Sequence, residues 1–210
     1  AENVIDRLWR FCIERQGDER VYGNWFGVAI NHPGGKIAEF RLHALSRKRK
    51  EQQNNWGGIS EEDKERLELI LGGDSSCATL GRVILASQIH SLFALDPEWT
   101  LQEIMPLLDW DKNEARAQQA WNGFGLRGKL PEPLLPFLLP LYRQCFPRLA
   151  SELASVSEEI ADHIAHIALF TSHNLLEEGV LDDFLRNAMG KDRACFASHI
   201  GLGLNSLDEA

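Results

Sequence analysis

Apolar residues return at helical spacing in segment after segment of this chain. Val4, Ile5, Leu8 and Cys12 share one face of a first helix that runs to about Gln16. The stretch from Arg20 to Ile30 mixes aromatics with Gly23 and Gly27 and reads as a helix with close neighbours. From Lys36 to about Gln53, the residues Ile37, Phe40, Leu42, Ala44 and Leu45 give an apolar side. That helix ends in cations, which the helix dipole favours. The segment QQNNWGG breaks the pattern at 52–58. Ser60 then caps a new helix, with Asp63 in place of the usual Glu. Leu67, Ile70 and Leu71 form its apolar side, and GGD at 72–74 ends it.

The second part of the chain is more regular. Leu80, Val83, Ile84, Ile89, Leu92 and Phe93 mark a long helix. It stops at LDPEW, residues 95–99, where Asp96 caps the next helix and Pro97 takes its first position. Leu101, Ile104, Met105 and Leu108 follow. A further helix starts at Asp111, with Ala115, Ala120, Trp121 and Phe124 as its core side and Gly125 and Gly128 at its end. Pro131 and Pro133 suit a helix start, whereas Pro136 and Pro140 predict a kink or a later start. The longest clean helix is expected from about Ser151 to Leu176, with shorter ones at about 179–189 and 192–205.

Strand-like alternation is nowhere convincing, so the predicted class is all-α. The helix pairs 75–108, 111–147 and 151–189 recur at roughly 35–40 residues, the length of HEAT-like hairpins. The predicted architecture is an irregular HEAT-like helical-hairpin array, an α-solenoid. The boundary falls after residue 58: an N-terminal helical segment, 1–58, and a helical-repeat domain, 59–210, unless 1–210 is one continuous domain.

Composition changes this picture little. At 210 residues, 44% hydrophobic and 25% charged, the chain is globular rather than disordered. A net charge of −9 argues against a general nucleic-acid binder. A chain that opens on Ala is expected to be a piece of something longer, and no secretory signal or bilayer-length apolar run stands out. A cytoplasmic setting follows as an expectation. Cys12, Cys77, Cys145 and Cys195 are widely spaced without a CxxC pair, so they read as reduced thiols packed in helices.

The candidate chemistry is concentrated in residues 30–52. In NHPGGK, Gly35-Lys36 is followed by Ile37, which fails the P-loop pattern, and G-x-G-x-x-G fails as well. Asn31 or His32 can end one helix, Pro33 forces the turn, and Lys36 sits beside free N–H groups that could hold an anion. A structural joint is the favoured reading. Glu39 and His43 share a helix face, and with His32 and Lys36 they are the residues an enzyme or nucleotide-binding reading would use. Arg41, Arg47, Lys48, Arg49 and Lys50 make one basic island in an acidic chain. Its functional reading is contact with nucleic acid, a phosphate or an acidic partner, against a solvated helix end. His163, His166 and His173 follow one helical stripe, with Asp162 adjacent. Successive turns are about 5.4 Å apart, so one straight helix cannot bring all three imidazoles to one ion, and no metal or other cofactor is assigned.

Two blocks carry a resemblance. INHPGGKIAEFRLHALS resembles an NHP-x-G-K-x-x-E-F-x-L block, and residues 91–140, from SLFALDPEW through PLLDW and AWNGF to LLP, resemble a second ordered pattern. Both are similar to an uncharacterised bacterial helical domain found C-terminal to sirtuin-like domains, in proteins some of which act in anti-phage defence and degrade NAD. The resemblance spans about residues 20–145. It implies that NAD chemistry belongs to the sirtuin-like part of the same chain, and that this segment is a non-catalytic scaffold, sensor or oligomerisation module. Its expected partners are a protein or a second copy of itself, with neither nucleic acid nor membrane. The bound surface is expected at Asn31, His32, Lys36, Glu39, Arg41, His43, Arg47, Lys48, Arg49 and Lys50. The alternative is a nucleotide- or nucleic-acid-binding domain using the basic helix 36–50, or a hydrolase-like enzyme domain.

Overall fold

The computed structural model describes residues 4–15 and 23–208, with side chains of 4–14 and 23–205. The predicted end at Gln16 and the start at Arg20 lie outside the described residues. Among the described residues every regular element is helical, which bears out the all-α class. The chain divides into two compact units, Ala1–Gly128 and Lys129–Ala210. That boundary differs from the one expected after 58, because the helix that follows the first joint packs extensively on the helix at 76–87.

Unit 1 contains α1 (Val4–Arg15), α2 (Trp25–Ala29), α3 (Pro33–Gln52), α4 (Glu61–Gly72), α5 (Ser76–Ser87), α6 (Ile89–Leu95), the single turn α7 (Pro97–Trp99) and α8 (Glu114–Arg127). The long helix expected from 80 to 93 is interrupted at Gln88, which separates α5 from α6. α5 is the hub: α1, α2, α3, α4 and α8 all pack on it. Its run Leu80, Val83, Ile84, Leu85, Ala86 is apolar around nearly the whole circumference and buried accordingly. Trp121, Phe124, Leu67 and Ile70 complete the core around it. The predicted caps hold. Ser60 Oγ accepts the Asp63 N–H at 3.3 Å, and Asp96 Oδ1 accepts the Trp99 N–H at 3.1 Å with Pro97 in the first position.

Close approach at α5 explains the glycines of NHPGGK. A Cβ on Gly34 would lie 2.2 Å from the Cys77 carbonyl oxygen, and one on Gly35 would lie 1.9 Å from that of Ala29. Only glycine lets the start of α3 press against both α5 and the end of α2. Asn122 on α8 fixes α2 from the other end. Its Oδ1 accepts the Phe26 N–H at 3.0 Å and its Nδ2 donates to the Gly23 carbonyl at 3.3 Å.

Two further anchors escape the periodicity. Arg82 is buried in α5, and its guanidinium donates to the carbonyls of Ile70 (3.2 Å), Leu71 (3.3 Å) and Gly73 at the end of α4. These are carbonyls a helix end leaves unsatisfied, and a cation there also complements the dipole. Burial, with Arg116 nearby, pulls the Arg82 pKa down to about 10. Cys12 and Cys77 form a disulfide that joins α1 to α5, which overturns the reading of these two as reduced thiols. Cys145 and Cys195 are not joined in a disulfide.

Unit 2 contains α9 (Leu135–Cys145), α10 (Ser157–Phe170), α11 (Val180–Asn187) and α12 (Gly190–Asp208). α10 is shorter than the expected 151–176, and the longest described helix is α3, of 20 residues. Pro136 falls in the first turn of α9, where its missing N–H costs nothing, and Pro140 is inside it. Tyr142, Phe146, Phe184 and Phe196 form a row of ring contacts joining α9, α11 and α12. α10 and α12 pack side by side along their length. They run parallel: Lys191 pairs with Glu158 at the start, and Gly203 lies against Leu169 and Phe170 at the end.

Candidate functional site

The residues nominated from 30–50 do not converge on one point. Asn31 donates from Nδ2 to the Gly27 carbonyl at 3.2 Å. His32 is buried as the N-cap of α3, and its Nδ1 accepts the Gly34 N–H at 3.1 Å. Lys36 pairs with Glu39 at 3.1 Å on the outside. Arg41 is not on a surface at all: it is 7% exposed and reaches Asp6 of α1 at 3.0 Å. Burial lowers its pKa, against the pull of Asp6. Arg47 pairs with Glu51 at 3.6 Å, and Lys48 with Asp63 of α4 at 2.6 Å. Burial of Asp63 is outweighed by the hydrogen bonds from Lys48 and Ser60, so its pKa falls. Arg49 and Lys50 lie exposed in the last turn. The basic island is therefore spread around α3, with Arg41, Arg47 and Lys48 turned toward separate carboxylates.

Two of the ten nominated residues do share a concavity. Glu39 and His43 line a cleft of about 140 Å³ together with Leu42 and Ser46 of α3, Phe26 and Ile30 of α2, and Ile84, Ser87, Gln88, Ser91 and Leu95 around α5 and α6. Its wall alternates apolar bodies with hydroxyl, amide, imidazole and carboxylate groups. Pockets for drug-sized ligands run to about 300–1,000 Å³, and a cavity of about 150 Å³ holds a benzene ring. The cleft thus has room for one side chain and not for a nucleotide.

Unit 2 holds a second polar group that the sequence reading missed. The histidine stripe on α10 splits. His163 turns inward to share a 2.7 Å hydrogen bond with the Tyr142 hydroxyl, and burial pulls its pKa down to about 4. His173 lies beyond α10 and meets Glu178 at 3.1 Å. Asp162 instead faces Cys195 and His199 of α12. Its Oδ1 accepts from the Cys195 thiol at 3.0 Å and contacts His199 Nδ1. The start of α12 is set by Asp192, whose Oδ2 accepts the Met189 N–H at 2.8 Å. The i,i+4 spacing then places Cys195 and His199 on one face. No sequence motif spans this group, because Asp162 is 33 residues from Cys195.

Cys, His and Asp are also the parts of a thiol nucleophile, but the order here is wrong for one. An activated thiol needs the imidazole between it and the carboxylate. Here the carboxylate lies between the other two. Burial and the hydrogen bond to Asp162 push the Cys195 thiol up to about 12, which opposes thiolate formation. No family model, curated protein or solved structure matches the chain.

Proposed function

We propose that this chain is a non-catalytic scaffold or sensor module of a larger bacterial anti-phage protein, and that unit 1 binds its partner by admitting one side chain into the α2–α3–α5–α6 cleft. The observation that carries the reading is the cleft itself. Its volume of about 140 Å³ suits a side chain, and its walls offer both apolar contact and hydrogen-bonding groups. An exposed stripe of Val4, Leu8 and Phe11 on α1 supports association as well. The partner assigned from the sequence resemblance is the sirtuin-like domain of the same chain, where any NAD chemistry would reside.

The finer architecture belongs to this proposal too. Short joints between consecutive helices support a HEAT-like succession of hairpins, here gathered around α5 as a hub. The cytoplasmic setting is likewise part of the reading; in a reducing compartment Cys12 and Cys77 would be held as a dithiol. Among the described residues no single helix is long and apolar enough to cross a membrane.

The test is titration calorimetry of this chain against the separately produced sirtuin-like domain. Filling the cleft with Ser91→Trp is expected to weaken binding at least about tenfold, the loss of one anchoring contact. Unchanged affinity in Ser91→Trp, self-association in place of partner binding, or NAD turnover by this chain alone would refute the proposal.

A further inference from the structure

We propose that Asp162, Cys195 and His199 form a binding site for a zinc-class divalent cation on the α10–α12 seam of unit 2. Each residue supplies a different ligand atom, a carboxylate oxygen, a sulfur and an imidazole nitrogen, and the three atoms lie within 4.8 Å of one another. Tetrahedral zinc, with bonds of about 2.0–2.3 Å, spaces its ligand atoms about 3.5 Å apart. The move from the present arrangement is therefore a matter of side-chain rotation. The backbone is already in place, since two parallel packed helices carry the three residues.

The chemistry balances. Asp162 Oδ1 gathers the Cys195 thiol and His199 Nδ1 around itself through hydrogens. A divalent cation takes the place of those hydrogens. The thiol proton leaves to solvent, and the imidazole binds through Nδ1 while holding its proton on Nε2. The ligand set then carries two negative charges, which zinc neutralises. Sulfur and imidazole ligands select zinc-like ions over magnesium and calcium, which prefer oxygen alone. Asp162 and Cys195 are half-buried and His199 is exposed, so a fourth position faces outward, open to water or to a donor from a partner.

Cobalt(II) titrated into the metal-stripped full chain tests this directly. One equivalent is expected to raise a thiolate-to-cobalt charge-transfer absorption that zinc displaces and magnesium does not. Cys195→Ser should abolish the band. His199→Ala and Asp162→Asn should weaken binding at least about tenfold, since even outer partners of a metal site are worth that much. Cys145→Ser should leave the band intact. Absence of the band in the unaltered chain, or its survival in Cys195→Ser, overturns the site. A measurement without substitution guards against unfolding of the variants: zinc should slow alkylation of Cys195, read by peptide mass, and unchanged alkylation also overturns the site.

Discussion

The two units each tie a buried polar group to a helix start or end, but they differ in what else their polar side chains meet. In unit 1 four of them are occupied with backbone ends, while buried Arg41 takes the Asp6 carboxylate. Arg82 closes α4, Asn122 holds the start of α2, His32 caps α3, and Asp96 caps α7 while its Oδ2 accepts the Ile59 N–H at 3.2 Å. In unit 2 a carboxylate, a thiol and an imidazole turn toward one another on an outward seam. A polar group bonded to a helix end stabilises a fold and has little left to offer a ligand. Polar groups that meet each other near the surface keep ligand capacity. The contrast separates residues that build this protein from residues that are free to act.

The largest tests of that contrast lie in the cores. Trp121→Ala removes a fully buried ring whose Nε1 also donates to the Leu108 carbonyl at 2.8 Å, and should cost on the order of 3–5 kcal/mol in denaturant unfolding. Reducing the Cys12–Cys77 bridge reopens a separation of 65 residues, worth about 4 kcal/mol in the chain-entropy account, and should lower the thermal midpoint. Arg82→Ala strands carbonyls at the end of α4 and should cost about 3 kcal/mol. A loss under about 1 kcal/mol there would break the claim that Arg82 secures the end of α4. Ile164→Ala, fully buried on α10, should cost at least about 2 kcal/mol and sharpen the picture of unit 2. Smallest is Arg47→Ala, an exposed helix pair, expected within about 0.5 kcal/mol of the parent.

Local signals were legible in the sequence because their physics is local. Ser60, Asp96 and Pro97 announce helix starts through atoms within three residues, and the structure places them as read. Trp121 and Ile164 follow from helical periodicity and are buried. Failures fall where distant segments meet. Nothing near Cys12 names Cys77, and nothing near Asp162 names Cys195. Arg82 and Arg41 carry full charges, so the pattern assigns them to water; their partners, an incomplete helix end and Asp6, lie on other helices. The expectation of one long helix at 151–176 failed because α10 begins only at Ser157 and ends at Phe170. Of the ten nominated site residues, Glu39 and His43 share a cleft because they are four apart on α3, a spacing that puts both on one face of a helix.

The bridge between Cys12 and Cys77 makes α1 a clasp with two locks. One lock is covalent; the other is ionic, with Asp6 reaching Arg41 at 3.0 Å and Arg66 at 3.4 Å. Reductant alone leaves the ion pairs, and neutralising Asp6 alone leaves the sulfur bond. Reduction combined with Asp6→Asn should loosen α1 more than either change alone, read as access of quenchers to the buried indole of Trp9.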